Sequence, residues 1–181
     1  MRIDVTTWSL EMLDPSQLVA APPPDLDLKL VRSGVPSPEL GRFLYTAVGG
    51  DWYWTDRLPW TYVQWQERLS RPGVETWVAY LCGTPAGYFE MDGQDGAAVE
   101  IAYFGLLPAF IGKALGGWLL TRAIERGWQM GARRVWAHTC SLDGPYALAN
   151  YRARGMKVFK EHTEQQELPE KTPGPWPGAR G

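Results

Sequence analysis

The spacing of apolar side chains changes several times along the chain, and each change predicts a new element. Apolar and polar residues alternate over 1–12 and again over 26–32, as they do in half-buried strands. Two helical patterns follow, over 37–48 and 61–69, and the first opens with a Ser-Pro pair that suits a helix N-terminus. The first part of the chain is therefore predicted to supply two strands and two helices.

The rest of the chain contains a second group of strands, which are interrupted by helices. Two strand patterns, over 74–81 and 86–91, flank a Gly-Thr-Pro turn, and the run over 99–107 is apolar on both faces, as in a central strand. The remaining helical and strand patterns lie at 113–130, 134–139, 145–154 and 156–168. This order predicts a mixed α/β domain with one strand–helix–strand crossover in its second half.

Composition and charge narrow the class of protein. The 181 residues are 45% hydrophobic and 21% charged, which is typical of a single globular domain. A net charge of -2 argues against a protein that binds nucleic acid by neutralising phosphates. The chain has no apolar run long enough to span a membrane, and its first residues lack the apolar run of a secretory signal, so we expect a cytoplasmic protein with no membrane partner. The cysteines are expected to be reduced, and no cluster of Cys and His has the spacing of a metal site.

The segment from Glu100 to Gly117 carries the strongest chemical signal. It runs from an apolar strand, which starts with a carboxylate, through a turn of small residues into an amphipathic helix. A helix N-terminus offers unpaired N–H groups and a partial positive charge, so a phosphate could bind there beside Lys113. The same residues are consistent with a tight connection between a strand and a helix, and the spacing alone favours neither interpretation.

Two motifs in this half resemble those of the GNAT superfamily, whose members are acyl-CoA-dependent N-acyltransferases. The stretch from Ile111 to Gly116 resembles the family's Arg/Gln-x-x-Gly-x-Gly/Ala turn, from which Ile111 and Ala114 depart. The stretch from Ala147 to Met156 resembles the family's Ala-x-x-x-Tyr-x-x-x-Gly-Phe helix end. The resemblance implies an α/β fold with a GNAT-like central sheet, mostly antiparallel, that is splayed in the middle and flanked by helices.

The resemblance also implies a cofactor and a division of the chain. The acyltransferase domain is expected over 26–168, after an N-terminal strand and linker extension over 1–25 and before a flexible tail over 169–181. Acetyl-CoA is the implied cofactor, with its pyrophosphate on the turn and its acetyl carbonyl polarised by main-chain N–H groups at the end of the strand. The residues implied in cofactor binding are Leu106, Leu107, Ile111, Gly112, Lys113, Ala114, Leu115 and Gly116.

Acetyl transfer to an amine needs a base, because a free amine of the lysine type has a pKa near ~10 and is protonated at neutral pH. Glu100 is the candidate base, since it starts the central strand and some GNAT members carry a catalytic Glu in a similar context. Tyr151 matches the family's Tyr, which is implied as the acid that protonates the departing thiolate. The alternatives are a strand-end carboxylate that faces water and a core tyrosine that packs the last helix.

An aromatic cluster between the first two helices is the candidate acceptor site. A wall of aromatic rings could bind an amine through cation–π contacts. The alternative is that the tryptophans pack the loop against the sheet and have no role in binding. His138, on the strand after the crossover helix, is a candidate substrate ligand or second base, or else a structural residue. The candidate substrate-binding residues are Trp52, Tyr53, Trp54, Arg57, Trp60 and His138.

Together with the resemblance, these patterns predict an N-acetyltransferase that moves an acetyl group from acetyl-CoA to the primary amine of a small acceptor by direct attack in a ternary complex. Two alternatives stay open: a non-catalytic acyl-CoA-binding or regulatory module of the same fold, and a peptide or protein N-acetyltransferase. Ile111 and Ala114 motivate the first alternative, since they depart from the turn pattern. The extra N-terminal strand and the aromatic residues are compatible with a homodimer.

Overall fold

The computed structural model describes residues 1–94 and 97–179, and in these ranges the chain forms seven strands and four helices. The helices are α1 (Pro38–Gly49), α2 (Tyr62–Ser70), α3 (Leu115–Gln129) and α4 (Ala147–Ala153). The strands are β1 (Arg2–Met12), β2 (Leu28–Arg32), β3 (Val74–Leu81), β4 (Thr84–Gln94), β5 (Ala98–Leu106), β6 (Arg134–Cys140) and β7 (Lys157–Glu167). Each helix and strand that the sequence predicts is present close to its predicted bounds, and the last strand pattern forms a single strand.

The strands of the described ranges join one open sheet in the order β2-β3-β4-β5-β6-β1-β7. Within these ranges, only β5 and β6 are parallel neighbours, and α3 makes the crossover between them. The other neighbouring strands are antiparallel. The arrangement confirms the predicted mixed α/β fold with a mostly antiparallel central sheet and flanking helices.

The sheet is splayed in the middle because β5 and β6 pair over only part of their lengths. Their parallel ladder ends at Ile101 and Ala137, whereas β5 continues to Leu106 and β6 to Cys140. A β-bulge adds to the bend of β5, since Ala102 has no partner opposite it in β4. An opening therefore lies between the ends of the two central strands.

The two faces of the sheet are covered by different helices. On one face α3 forms the main core, in which Leu119 and Leu120 are fully buried. On the other face α1 contributes Leu44 and Val48 to a smaller apolar cluster. Because side chains alternate along a strand, the even-numbered residues of β4 over 88–92 face the side of α1 and α2. Acidic residues of β4 can therefore face the same side as the predicted acceptor loop.

The predicted N-terminal extension supplies an inner strand of the sheet. β1 lies between β6 and β7 and pairs with both, and its Leu10 and Met12 are fully buried in the main core. The segment that follows is also attached, since the Val19 N–H donates a hydrogen bond to the Arg154 carbonyl at 3.0 Å. The first 25 residues are thus integrated with the sheet, whereas the domain boundary proposed at residue 25 stays a prediction.

The segment after β7 returns to the body of the protein over part of its length. The Gly174 N–H donates a hydrogen bond to the Gly50 carbonyl at 2.9 Å, and Gly174 is buried. This contact attaches the middle of the predicted flexible tail to the end of α1. Residues 180 and 181 of that tail lie outside the described ranges.

Candidate active site

The turn between β5 and α3 leaves main-chain N–H groups uncapped. The chain passes through Gly112 and Ala114 with φ angles of 83° and 59°, both in the left-handed region. Ala114 is the N-cap of α3, makes no side-chain capping hydrogen bond, and is followed by a first helical turn without an acidic residue. The N–H groups of this turn are therefore available to an anion.

The side chains around this turn are small or point to solvent. A Cβ atom added to Gly112 would meet nothing within 4 Å, and Ile111 is 46% exposed. The Asn150 amide of α4 donates a hydrogen bond to the Gly116 carbonyl at 3.1 Å and so ties α4 to the start of α3. The turn fits a phosphate group through its main chain and the exposed Lys113, while Ile111 offers no hydrogen bond.

The end of β5 presents one of the two predicted main-chain donors to the opening in the sheet. The Leu107 N–H donates to the Ala86 carbonyl at 2.9 Å, so it is not available to polarise a bound carbonyl. Successive N–H groups of a strand point to opposite sides, and that of Leu106 therefore points away from β4 toward the opening. The prediction of a polarising N–H is corrected for Leu107 and is retained for Leu106.

Tyr151 lies in α4 beside the same opening. Its side chain is 5% exposed and its ring packs edge-on against Phe104 of β5, with 6.0 Å between the ring centroids. Burial raises the pKa of the phenol far above its usual range, and the negative charges of Asp143 and Glu100 raise it further. Tyr151 is therefore protonated throughout the neutral range and can act only as a proton donor there.

Glu100 of β5 contacts His138 of β6 at the point where the two strands separate. The distance from His138 Nδ1 to Glu100 Oε1 is 3.2 Å, and the side chains are 49% and 12% exposed, respectively. The hydrogen bond to Glu100 is the main cause that raises the pKa of His138 above its usual value, against the opposing effect of burial. The sequence offered both residues as candidates but did not pair them.

A cleft of about 340 Å³ opens over this pair on the side of α1 and α2. Its volume lies in the range of about 300–1,000 Å³ that is common for small-molecule sites. Both aromatic and acidic side chains line it, together with the imidazole. They include Asp56, Trp60, Asp92, Glu100, Tyr103 and His138.

Arg57 lines the same cleft but is engaged in an ion pair. Its guanidinium donates two hydrogen bonds to the Glu90 carboxylate, at 2.7 and 2.9 Å, and both side chains are buried. The same guanidinium lies over the rings of Tyr103 and Trp60, with its carbon 4.3 and 4.7 Å from the ring centroids. Arg57 therefore supports the aromatic wall from behind with a charge that Glu90 neutralises.

Trp52 and Trp54 lie apart from Trp60, near the loop that joins β6 to α4. The Trp54 indole N–H donates to Asp143 Oδ1 at 3.4 Å, and its ring packs against Tyr103 with centroids 4.9 Å apart. Trp52 lies beside Gly144 of that loop. The predicted aromatic wall is thus divided between the cleft, which Trp60 lines, and the loop after β6, which Trp52 and Trp54 contact.

Sequence comparison identifies the family. The family model described as "Acetyltransferase (GNAT) family" matches residues 41–156, which is more than half of the chain. The chain belongs to the GNAT acetyltransferase family. The match runs from within α1 to Met156, just after α4, and includes the turn, Glu100, His138 and Tyr151. The predicted resemblance is confirmed, and no curated protein is similar enough to match.

Solved structures share the fold of this GNAT protein at low sequence identity. A GCN5-related N-acetyltransferase from Kribbella flavida is 19% identical with a TM-score of 0.64, and the alignment covers 91% of this chain and 58% of that one. One from Sphaerobacter thermophilus is 20% identical with a TM-score of 0.60, covering 94% of this chain and 53% of that one. An aminoglycoside acetyltransferase from an uncultured soil metagenomic sample is 17% identical with a TM-score of 0.57, covering 70% and 86%. The chain spans little more than half the length of the first two.

Outside the matched region, this GNAT protein builds part of the sheet. Residues 1–40 and 157–181 are not matched, yet they contribute β1, β2 and β7. β1 separates β7 from β6, as described above. The family match therefore covers the candidate site, whereas β2 at one edge of the sheet and β1 and β7 at the other end come from segments outside the match.

An ion-pair network in the wall of the cleft is the feature that sequence reasoning missed. Arg68 of α2 bonds both Glu90, at 2.6 Å, and Asp92, at 2.6 Å, and Arg71 also pairs with Asp92. Burial alone would raise the pKa of each carboxyl, but the hydrogen bonds and charges of the arginines outweigh it and lower both values. The alternation of acidic residues in β4 was a signal for the acidic half, whereas no local spacing links Arg68 to residues 22 and 24 positions later.

A metal site and a membrane-spanning helix are both absent from the described residues. No group of His, Cys, Asp and Glu there could hold a metal ion. No described helix is long and apolar enough to cross a membrane. A second cleft, of about 260 Å³ and lined largely by residues 32–37 and 69–74, contains none of the predicted site residues.

Proposed function

We propose that this GNAT protein transfers an acetyl group from acetyl-CoA to the primary amine of a small acceptor, by direct attack in a ternary complex. The observation that carries the proposal is the shared opening between β5 and β6. Phe104 of β5 touches Tyr151, and Asn150 beside Tyr151 bonds the first turn of α3. These contacts join the turn before α3 to the buried Tyr151 beside the opening where Glu100 meets His138, which supports the proposal.

The residues present fit the acyl donor. The Ile111 N–H donates to the Pro108 carbonyl, so the main-chain N–H groups over 112–116 and the Lys113 ammonium would hold the pyrophosphate. The Leu106 N–H would hydrogen-bond the acetyl carbonyl oxygen. When bound, acetyl-CoA supplies a thioester whose carbonyl carbon accepts a nucleophile. The departures at Ile111 and Ala114 leave these main-chain contacts in place, because they change side chains only.

Acid and base groups stand on the two sides of the opening. Glu100 supplies the carboxylate of the basic group that deprotonates the acceptor amine. Tyr151 keeps its proton at neutral pH because it is buried, and it donates that proton to the leaving sulfur. Trp60 and Tyr103 line the cleft, and since Arg57 covers one face of each ring, a cationic acceptor would meet the other faces.

The assay is acetyl-CoA-dependent release of free thiol in the presence of a panel of amines that includes polyamines, aminoglycosides and lysine peptides. We expect turnover with a small amine, and a loss of about 10²–10⁴-fold in kcat for Tyr151→Phe, since general acid–base groups contribute that much. Tyr146→Phe is the matched control, because Tyr146 is at the start of the same helix and is 76% exposed. Equal activity of the two variants would contradict the role of Tyr151.

The two alternative functions predict different results when the same protein is tested by CoA titration and by the thiol-release assay. A non-catalytic module would bind CoA in a calorimetric titration and release no thiol with any amine, and the departures at Ile111 and Ala114 are what favour it. A peptide acetyltransferase would turn over the lysine peptides in preference to the small amines. The cleft is lined by both aromatic and acidic side chains, which suit the amine of either acceptor, so the ranking of the two substrate classes in the assay separates them.

A further inference from the structure

The contact between Glu100 and His138 indicates which of these two side chains meets the acceptor amine. His138 turns Nδ1 toward the carboxylate at 3.2 Å, so Nε2 lies on the far side of the ring. A hydrogen bond from Nδ1 to a carboxylate fixes the neutral tautomer in which Nε2 carries a lone pair. His138 is 49% exposed and lines the cleft, whereas Glu100 is 12% exposed. The more accessible basic atom of the pair is therefore Nε2.

The surroundings of the imidazole favour its protonated form. The negative charges of Asp143, in the loop after β6, and Asp56, in the loop after α1, raise the pKa of His138 in addition to the hydrogen bond with Glu100. The arginines of the same cleft do not oppose this effect strongly, since Arg57 is paired with Glu90 and Arg68 with Glu90 and Asp92. An imidazole in such a field is a stronger base than a free one.

We propose that His138 is the catalytic residue that takes the proton from the acceptor amine, and that Glu100 is a positioning residue that acts through it. The inference rests on the proposed function and refines the role of Glu100 within it. The arrangement resembles in its logic the carboxylate–imidazole half of a hydrolytic triad, in which a buried carboxylate orients the ring and stabilises the imidazolium that forms.

The proton and electron changes balance as follows. The acceptor ammonium gives one proton to His138 Nε2, which becomes an imidazolium and later releases that proton to solvent. The nitrogen lone pair then forms the C–N bond to the thioester carbonyl carbon, and the C–S bond breaks with its electron pair on sulfur. Tyr151 gives its proton to the sulfur and is reprotonated by the second proton of the acceptor nitrogen. The products are the acetamide, the free thiol and one proton.

The test separates two assignments through the pH dependence of kcat/KM in Glu100→Gln and His138→Gln. If Glu100 acts through His138, the ascending limb of the profile persists in Glu100→Gln and moves to lower pH, because the carboxylate no longer stabilises the imidazolium. In His138→Gln the limb that belongs to the imidazole disappears, and kcat falls by about 10²-fold or more. If Glu100 is itself the base, the limb disappears in Glu100→Gln and persists in His138→Gln, and that result overturns the inference.

A second measurement does not depend on activity. The chain has 2 histidines, so the imidazole proton resonances can be assigned with His162→Gln, which removes the other one from the exposed strand β7. We expect the NMR titration midpoint of His138 to fall in Glu100→Gln and that of His162 to stay unchanged. An unchanged His138 midpoint would overturn the inference, even if the wild-type enzyme turns over.

The failure of the proposed function looks different from the failure of this inference. Absence of turnover with every amine, together with a His138 midpoint that falls in Glu100→Gln, would overturn the catalytic roles while the pair itself is real. Turnover in the wild type with His138→Gln fully active across the pH range would overturn the inference alone. His162→Gln should match the wild type in every kinetic measurement, and thermal melting of each variant verifies that it is folded.

Discussion

At the residue scale, the departure of the turn before α3 from the family pattern affects its backbone conformation more than its side-chain chemistry. Ala114 has a φ angle of 59°, in a region where an L-residue with a Cβ is strained by about 1–2 kcal/mol. The family pattern has glycine at this position, and glycine adopts the conformation freely. The departure at Ala114 is therefore a cost in stability, and it removes no hydrogen-bond donor from the turn.

We expect Ala114→Gly to raise the free energy of unfolding by up to about 1 kcal/mol, because the relief of strain exceeds the added freedom of glycine in the unfolded chain. Equilibrium denaturation in urea measures the change. Ala149→Gly is the control, since Ala149 is exposed within α4, where glycine should lower the free energy of unfolding by about 1 kcal/mol. A loss of equal size in both variants would show that Ala114 is unstrained.

At the element scale, α2 is attached to the sheet through charge as well as through its apolar face. Arg68 is 13% exposed and bridges Glu90 and Asp92, which are 3% and 4% exposed. The folded state is stable only if each of these buried charges keeps its partners, because a buried charge without a partner lowers the free energy of unfolding. The network fixes the wall of the cleft that carries Arg57 and Trp60.

We expect Arg68→Met to lower the free energy of unfolding at pH 7 by about 3 kcal/mol or more, because it leaves two buried carboxylates short of a partner. Arg71→Met is the matched control: Arg71 pairs with the same Asp92 but is 50% exposed, so its loss should cost less than about 1 kcal/mol. Urea denaturation of both variants gives the comparison. Equal losses would contradict the importance of burial in this network.

The same network predicts how stability depends on pH. The pKa values of Glu90 and Asp92 lie below their ordinary values of 4.5 and 3.8 in the folded protein. A lowered carboxyl pKa contributes stability that is present above the unfolded value and is lost as the pH falls through the folded value. The difference between wild type and Arg68→Met should therefore be constant from neutral pH down to about pH 5 and shrink below about pH 4. A difference that grows on acidification would contradict this account.

At the scale of the whole molecule, the sheet is completed by the two ends of the chain. β1 inserts between β6 and β7, and the Met1 ammonium donates a hydrogen bond to the Leu168 carbonyl at 2.8 Å. Gly155 has a φ angle of 96°, and a Cβ at that position would lie 2.0 Å from the Gln17 carbonyl oxygen. The N-terminal segment therefore packs directly on the end of the α4 motif.

We expect deletion of residues 1–12 to abolish cooperative folding, because it removes the strand that joins β6 to β7 and the three fully buried side chains of Val5, Leu10 and Met12. Circular dichroism and thermal melting test this. Truncation after Pro175 is the control, since it keeps the bond between Gly174 and Gly50 and removes the 64% exposed Trp176, and it should leave the melting temperature unchanged. A cooperative thermal transition in the protein that lacks residues 1–12 would show that β1 is not essential for folding.

The sequence predicted the helices and strands well, and it predicted the contacts between distant residues less well. Ser37 and Thr61 cap α1 and α2 as their side chains indicate, since an N-cap depends on residues within one turn. The division of the aromatic residues between the cleft and the loop at Asp143 had no such local signal. It follows from where a loop between two helices meets strands that are distant in sequence.

By itself, the sequence determined the order of strands and helices, the strand–turn–helix over 100–117 and the family, because periodicity, caps and short motifs are properties of neighbouring residues. The tertiary structure decided which distant groups meet: β1 in the middle of one half of the sheet, Arg68 on Glu90, and Glu100 on His138. Those contacts depend on how both faces of the sheet are packed and on the point at which the β5–β6 ladder ends. Each of these pairs joins residues that are far apart in sequence, so no local pattern can specify them.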